Sequence, residues 1–120
     1  MTESEAGDFA LEWIAAWNAR DLERILSHYA DDAIFLSPNA ARVIGDGRVE
    51  GKAALRAYWG KALDAAPQLH FVLETWLVGH DALTILYANH RGQRVAESIA
   101  FDADGKVAFS MACYRAKTAT

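Results

Sequence analysis

Apolar residues in the first third of the chain recur with the period of an α-helix. Phe9, Trp13 and Trp17 are spaced four residues apart and form one stripe on a helix predicted over about residues 4–19. Residues 2–5 have the Thr-x-x-Glu spacing of a capping box, which favours a helix start here. The pattern therefore predicts an amphipathic N-terminal helix that packs one face on a core.

The next segment predicts a short helix, a strand and a hairpin. Asp21 is a typical N-cap for a second helix. Its apolar side contains Leu22, Ile25, Leu26 and Tyr29. The run AIFLSP, residues 33–38, predicts a strand closed by its proline. In ARVIGDGRVEG, residues 41–51, an Asp-Gly turn between two valine-containing arms predicts a β-hairpin.

From Lys52 onward the pattern first predicts a third helix and then changes to a period of two. The helix has apolar positions at Leu55, Tyr58, Trp59, Ala62 and Leu63, and Pro67 follows its end. Four strand candidates then follow at residues 68–78, 83–90, 94–101 and 106–116, separated by turn-forming residues. This order predicts an α+β domain with three N-terminal helices packed on a curved antiparallel sheet.

Composition narrows the classes of partner. The 120 residues fit one domain, and 52% of them are apolar. A formal charge of −4 without a Lys/Arg block argues against nucleic acid, and no run approaches the roughly 20 apolar residues of a membrane span. Cys113 is the only cysteine, and the four histidines lack zinc-type spacing, so no metal cofactor is expected. The polar, acidic residues 1–8 are unlike a signal peptide, which predicts a cytoplasmic protein.

Three stretches resemble the nuclear transport factor 2-like superfamily, and within it the SnoaL-like and ketosteroid-isomerase-like proteins. They are NARDLERILSHYADDAIFLSP, EGKAALRAYWGKAL and ESIAFDADGKVAFSMACY. The resemblance implies a cystatin-like cone, in which a strongly curved sheet wraps the helices around an apolar pocket. It also implies a homodimer through the outer sheet face. Apolar residues on both faces of the last strand, such as Phe109 and Ala112, agree with a covered outer face.

The resemblance also argues against ketosteroid isomerase activity. The general-base aspartate of those isomerases immediately precedes the proline of the first strand, where this chain has Ser37. Trp13 stands at the position of their helix tyrosine, and Glu97 at that of their second acidic oxyanion donor. A serine with no neighbouring base cannot shuttle the proton that a carboxylate shuttles.

Glu97 is the candidate acid or base that remains. It shares a strand face with Val95 and Ile99, and a carboxyl buried among apolar residues has a raised pKa. The alternative is a structural ion pair across the sheet with Arg94 or Arg115. If Phe101 pairs with Lys106, Glu97 lies opposite Ser110, and Ala112 and Tyr114 continue the same face. Tyr114 is then either a catalytic hydrogen-bond donor or a core residue with its hydroxyl at the rim.

The remaining pocket candidates are aromatic or polar residues near this face. They are Trp13, Trp17, Ser37, Tyr58, Trp59, Tyr87, His90 and Ser110, although the helix aromatics also fit a plain core. The turn that decides whether Tyr87, Asn89 and His90 point inward is not fixed by the sequence.

Such a pocket suits a small hydrophobic molecule with a carbonyl or hydroxyl group. The prediction is an isomerase, cyclase or dehydratase that uses acid–base chemistry without metal or nucleotide. The alternative is a non-catalytic ligand-binding or dimerisation module of the same fold. The adjacent Asp31 and Asp32 do not converge, because successive side chains in a strand point to opposite sides, so they are interpreted as a polar helix-to-strand junction.

Overall fold

The computed structural model describes residues 1–117, which form four helices and one six-stranded sheet. The helices are α1 (Glu3–Asn18), α2 (Leu22–Leu26), α3 (Pro38–Ile44) and α4 (Lys52–Ala65). The strands are β1 (Tyr29–Leu36), β2 (Arg48–Glu50), β3 (Val72–Gly79), β4 (Ala82–Ala88), β5 (Arg94–Phe101) and β6 (Val107–Tyr114). The α+β class predicted from the sequence is confirmed.

The sheet is antiparallel except at one junction. Its strand order is β2-β1-β6-β5-β4-β3, and β1 and β6 run parallel to each other. In β4 and β5 buried and less buried residues alternate, so each has one face toward the helices. Within residues 1–117, no helix is both long enough and apolar enough to cross a lipid bilayer.

Residues 38–44 form helix α3, so the hairpin predicted over residues 41–51 is wrong. The Ser37 hydroxyl caps the helix by accepting a hydrogen bond from the Asn39 N–H at 3.1 Å, and Pro38 occupies the first turn. Gly45 ends the helix with a left-handed φ of 79°. These start and stop signals outweigh the Asp-Gly turn, and only Arg48–Glu50 pairs with β1.

The register between β5 and β6 differs by two residues from the prediction. Glu97 lies opposite Ala112, and Ser110 lies opposite Ile99. Phe101 pairs with Val107 beyond the turn, one residue later than predicted, and an irregularity next to Phe101 adds the second residue. Because the shift is even, the side chains on the inner face are still the predicted ones.

Candidate functional site

A cavity of about 110 Å³ lies between the helices and the inner face of the sheet. Aromatic side chains make up a large part of its wall, contributed by Trp13, Trp17, Phe35, Tyr58, Trp59, Phe71 and Tyr87. Polar side chains reach it from Ser37, Asn39, Asn89, His90, Glu97 and Tyr114. A water molecule occupies about 30 Å³ of liquid, so the cavity has room for a small organic molecule.

The predicted site residues lie together around this cavity, with one exception. Glu97 and Tyr114 line it, as do Trp13, Trp17, Ser37, Tyr58, Trp59, Tyr87 and His90. Ser110 does not line it: its side chain is fully buried in the sheet beside Phe35 and Ile99. The two-residue shift in register puts Ala112, rather than Ser110, on the cavity wall opposite Glu97.

Glu97 is a buried carboxyl without a countercharge. Its side chain is 3% exposed, and its Oε2 atom has no hydrogen-bond partner in the part of the chain that the structure describes. Within residues 1–117 no ion pair reaches it, and Arg94 instead contacts Glu74 at 3.2 Å. Burial raises the pKa of the Glu97 carboxyl to about 8, because low-polarity surroundings disfavour the charged form. The alternative of an arginine-paired structural glutamate is therefore not what the structure contains.

Tyr114 places a protonated hydroxyl on the same cavity. Desolvation, followed by the nearby Glu97 charge, raises the pKa of Tyr114 to about 12. Its hydroxyl accepts a hydrogen bond from Asn39 Nδ2 at 3.3 Å, so its own proton is available to another acceptor. Tyr87 also has a raised pKa, first through burial and then through Glu97. The cavity thus combines one titratable acid with tyrosines that stay neutral.

His90 and Asn89, whose orientation the sequence left open, both border the cavity together with Tyr87. The Asn89 side chain is engaged in the β4–β5 turn, where its Oδ1 accepts hydrogen bonds from the backbone of Arg91 and Gln93. The Nδ1 atom of His90 is buried without a partner. His90 therefore brings unused hydrogen-bonding capacity to the cavity wall.

The family model of the SnoaL-like domain matches residues 10–116. The chain belongs to the SnoaL-like family. This confirms the resemblance recognised in the sequence. No curated protein matches the chain.

Solved structures show the same SnoaL-like fold. A SnoaL-like protein of unknown function from Burkholderia thailandensis E264 is 40% identical, with a TM-score of 0.93 over 96% of this chain and 98% of that one. A cystatin-like protein of unknown function from Methylobium petroleophilum PM1 is 17% identical, with a TM-score of 0.80 over 99% and 81%. A candidate isomerase of the SnoaL-like family from Agrobacterium tumefaciens C58 is 18% identical, with a TM-score of 0.71 over 89% and 94%.

In this SnoaL-like protein, Ser37 and Trp13 have structural partners. Ser37 caps α3, and its hydroxyl also lowers the pKa of Tyr58 against the larger effect of burial. The Trp13 Nε1–H donates to the Tyr29 hydroxyl at 3.2 Å, so it is not a free donor toward the cavity. Both contacts agree with the inference that the proton-transfer machinery of the steroid isomerases is missing from these positions.

Sequence reasoning missed several residues of the cavity wall, mainly Phe35, Asn39 and Phe71. Asn39 lies between the predicted strand at residues 33–38 and the wrong hairpin at residues 41–51, and the Ser-Pro-Asn start of α3 was the signal that could have found it. Phe71 lies within the strand predicted over residues 68–78, but β3 begins only at Val72, so the predicted alternation did not indicate a place in the cavity wall. Among the described residues, no group of three His, Cys, Asp or Glu side chains could hold a metal ion.

Asp31 and Asp32 lie apart from the site. Both are exposed, and Asp31 Oδ1 is 3.7 Å from Lys52 Nζ at the start of α4. They are part of β1, which begins at Tyr29, and the β1–β6 pairing is irregular between Tyr29 and Ile34. The two aspartates therefore occupy an irregular part of the strand rather than the junction before it.

Proposed function

We propose that this SnoaL-like protein is a cytoplasmic enzyme that binds a small hydrophobic carbonyl or hydroxyl compound and rearranges it by acid–base chemistry. The observation that carries the proposal is Glu97, a buried carboxyl without an ion pair on an aromatic cavity. With a pKa of about 8, this group is mostly protonated at neutral pH, and a minor fraction of the molecules carries the ionised carboxylate. The reaction classes that fit are isomerisation, cyclisation and dehydration.

Glu97 can act either as an acid or as a base in such a reaction. Protonated, it donates a hydrogen bond to a carbonyl oxygen and stabilises negative charge that develops there. Ionised, it removes a proton from the carbon beside the carbonyl and returns the same proton at another carbon, so the step needs no oxidant. Tyr114, which is uncharged near neutral pH, would be the second hydrogen-bond donor to the carbonyl oxygen.

The alternative function is ligand binding without turnover. It is favoured by the absence of a general base at Ser37, which leaves Glu97 as the one carboxyl that residues 1–117 place on the cavity wall. Both functions need the same pocket and the same protonated acid. Exchange of α-protons with solvent deuterium distinguishes the two functions. An enzyme should exchange the α-protons of bound carbonyl compounds faster in the wild type than in Glu97→Gln, whereas a binding protein should show no difference.

The Glu97 carboxyl is expected to titrate near pH 8, because burial disfavours its charged form. Carbon-detected NMR of glutamate-labelled protein measures this value, and the resonance is assigned by its absence in Glu97→Gln. A midpoint at or below 4.5, the ordinary value for a glutamate, would sink the proposal that Glu97 is a buried working acid.

We also propose that two copies associate through the outer face of the sheet. In support, Leu77 is 58% exposed and Met111 37% exposed on that face, beside the half-buried Leu86 and Phe109. Exposed apolar side chains on a sheet face are typical of an interface, and here they lie on either side of the hydrogen-bonded pair Thr84 and Ser98.

Met111→Lys is expected to convert the dimer to a monomer, because it places a charge in the apolar contact. Light scattering after size exclusion should give twice the 13.2 kDa chain mass for the wild type and once for the variant. Leu11→Lys, at an exposed position of helix α1, is the matched control and should remain dimeric. A monomeric wild type would contradict the proposal.

A further inference from the structure

Residues 66–71 connect α4 to β3 and form a strap fixed at one end by Asn18, the last residue of α1, and at the other by Arg20, just after it. At one end, the Arg20 guanidinium donates to the Ala66 carbonyl at 2.8 Å and to the Leu63 carbonyl. At the other end, Asn18 Nδ2 donates to the Phe71 carbonyl at 2.9 Å, and the Phe71 N–H donates back to Asn18 Oδ1 at 2.7 Å. Two reciprocal bonds to one residue fix both its position and its orientation.

The strap contributes Leu69 and Phe71 to the cavity wall. The Phe71 ring lies 4.5 Å from the Tyr87 ring, 5.6 Å from the Trp17 ring and 5.8 Å from the Trp13 ring, measured between centroids. These separations are those of directly packed aromatic pairs. Because its backbone is fixed by Asn18 and its ring by three others, Phe71 forms a stiff part of the wall.

The volume of the cavity limits the size of the ligand that fits against this wall. An engineered protein cavity of about 150 Å³ holds one benzene molecule. The cavity here measures about 110 Å³, so without movement of its wall its interior holds no more than one ring of a ligand. Packed interiors resist such movement, since added volume forces side chains off their preferred conformations.

We propose that Phe71, positioned by Asn18, sets the size limit of the pocket, so that it accepts single-ring carbonyl compounds and rejects fused rings. This inference deepens the proposed function, on which its carbonyl part rests. The size limit itself rests only on the geometry of the strap. The two parts are therefore tested with separate probes.

Phe71→Ala is expected to shift selectivity toward two-ring compounds, because it removes the ring that closes the wall. The probes are cyclohex-2-enone and 1-tetralone, with binding followed by the fluorescence of the cavity tryptophans. The tetralone-to-cyclohexenone affinity ratio should rise about tenfold or more, the effect typical of added room in an apolar pocket. Phe9→Ala is the matched control, because Phe9 is also half-buried but packs on Phe101 and His28 outside the cavity. Its ratio should equal that of the wild type.

Asn18→Ala tests the positioning role, because Asn18 does not line the cavity itself. The affinity ratio should move in the same direction as in Phe71→Ala, whereas loss of stability alone would weaken both probes equally. Phe71→Leu, which keeps much of the buried volume, provides a smaller shift if Phe71→Ala fails to fold. Equal binding of both ketones to the wild type overturns the size limit.

Toluene and naphthalene separate the two proposals, since neither carries a carbonyl group. If toluene binds, naphthalene does not, and cyclohexenone binds no better than toluene, the size limit stands and the carbonyl-directed function fails. If none of the four probes binds the wild type, the size limit fails as well. Equal binding of cyclohexenone and tetralone, each tighter than its matching hydrocarbon, supports the proposed function and overturns the role of Phe71.

Discussion

Glu97→Gln is expected to stabilise the protein at alkaline pH and to leave its stability almost unchanged at acidic pH. At pH 9 the variant should be more stable than the wild type by about 5 kcal/mol, from the shift between an ordinary pKa of 4.5 and the folded-state pKa of about 8. The side chain is 3% exposed, so solvent does little to reduce this effect.

The sign of the effect follows from which state holds the proton. Below pH 4.5 the Glu97 carboxyl is mostly protonated in both the folded and the unfolded chain, so its ionisation does not affect the free energy of unfolding. As the pH rises from 4.5 to 8, the unfolded chain ionises and the folded one does not, so the free energy of unfolding falls continuously. Above pH 8 both states are ionised and the loss is complete. Glutamine has no proton to lose and avoids the decline.

Urea unfolding at a series of pH values measures this difference. Glu50→Gln is the matched control: it makes the same substitution at an exposed site on β2, where the side chain meets solvent in both states. Its difference from the wild type should stay within about 0.5 kcal/mol across the series. A Glu97→Gln difference that is also flat with pH would show that Glu97 is not a desolvated acid.

The stability lost to Glu97 also bears on function. Glutamine has nearly the same shape, so a purely structural role would be served better by the variant at neutral and alkaline pH. Proteins retain destabilising groups mainly where chemistry requires them, and buried acids with raised pKa values are concentrated at such sites. The stability measurement therefore supports or weakens the proposed function even before a substrate is identified.

The face of Glu97 could be predicted from sequence because it depends only on alternation. The buried positions Val95, Glu97 and Ile99 keep their common face even though the register was two residues off. The helices could be predicted for a similar reason, since the stripe through Trp13 and Trp17 depends on local spacing alone. Local periodicity is thus sufficient to say which residues point inward.

The strap and helix α3 could not be predicted in this way. Phe71 reaches the cavity because Asn18, 53 residues away in the chain, binds its backbone, and no local pattern encodes that contact. In α3, the turn-forming residues near Gly45 were compatible with both a hairpin and a capped helix. The Ser37 hydroxyl decides between them, because it caps the helix. In the sequence, Ser37 was compared only with the general-base aspartate of the steroid isomerases, so its capping role was not considered.

Trp59→Ala is expected to destabilise the protein by about 3 to 5 kcal/mol, the range measured for buried aromatic residues truncated to alanine. Trp59 is 3% exposed, and its ring lies 5.0 Å from Tyr29, 5.3 Å from Phe35 and 5.4 Å from Trp17. These partners come from α1 and β1, so one side chain on α4 joins two layers of the core. Its removal merges the space it leaves with the neighbouring cavity.

Trp76→Ala is the matched control for this variant, because Trp76 is half-buried on β3 next to Gly7 of α1. It removes the same atoms from a more exposed site and should cost about half as much, since burial scales with the area removed from water. The midpoints of urea unfolding give the loss of stability in both variants, provided that the m-value is the same as in the wild type. Equal losses of stability in Trp59→Ala and Trp76→Ala would mean that Trp59 does not hold the layers together. A much larger loss in Trp59→Ala means that the wall of the cavity is also a main source of stability.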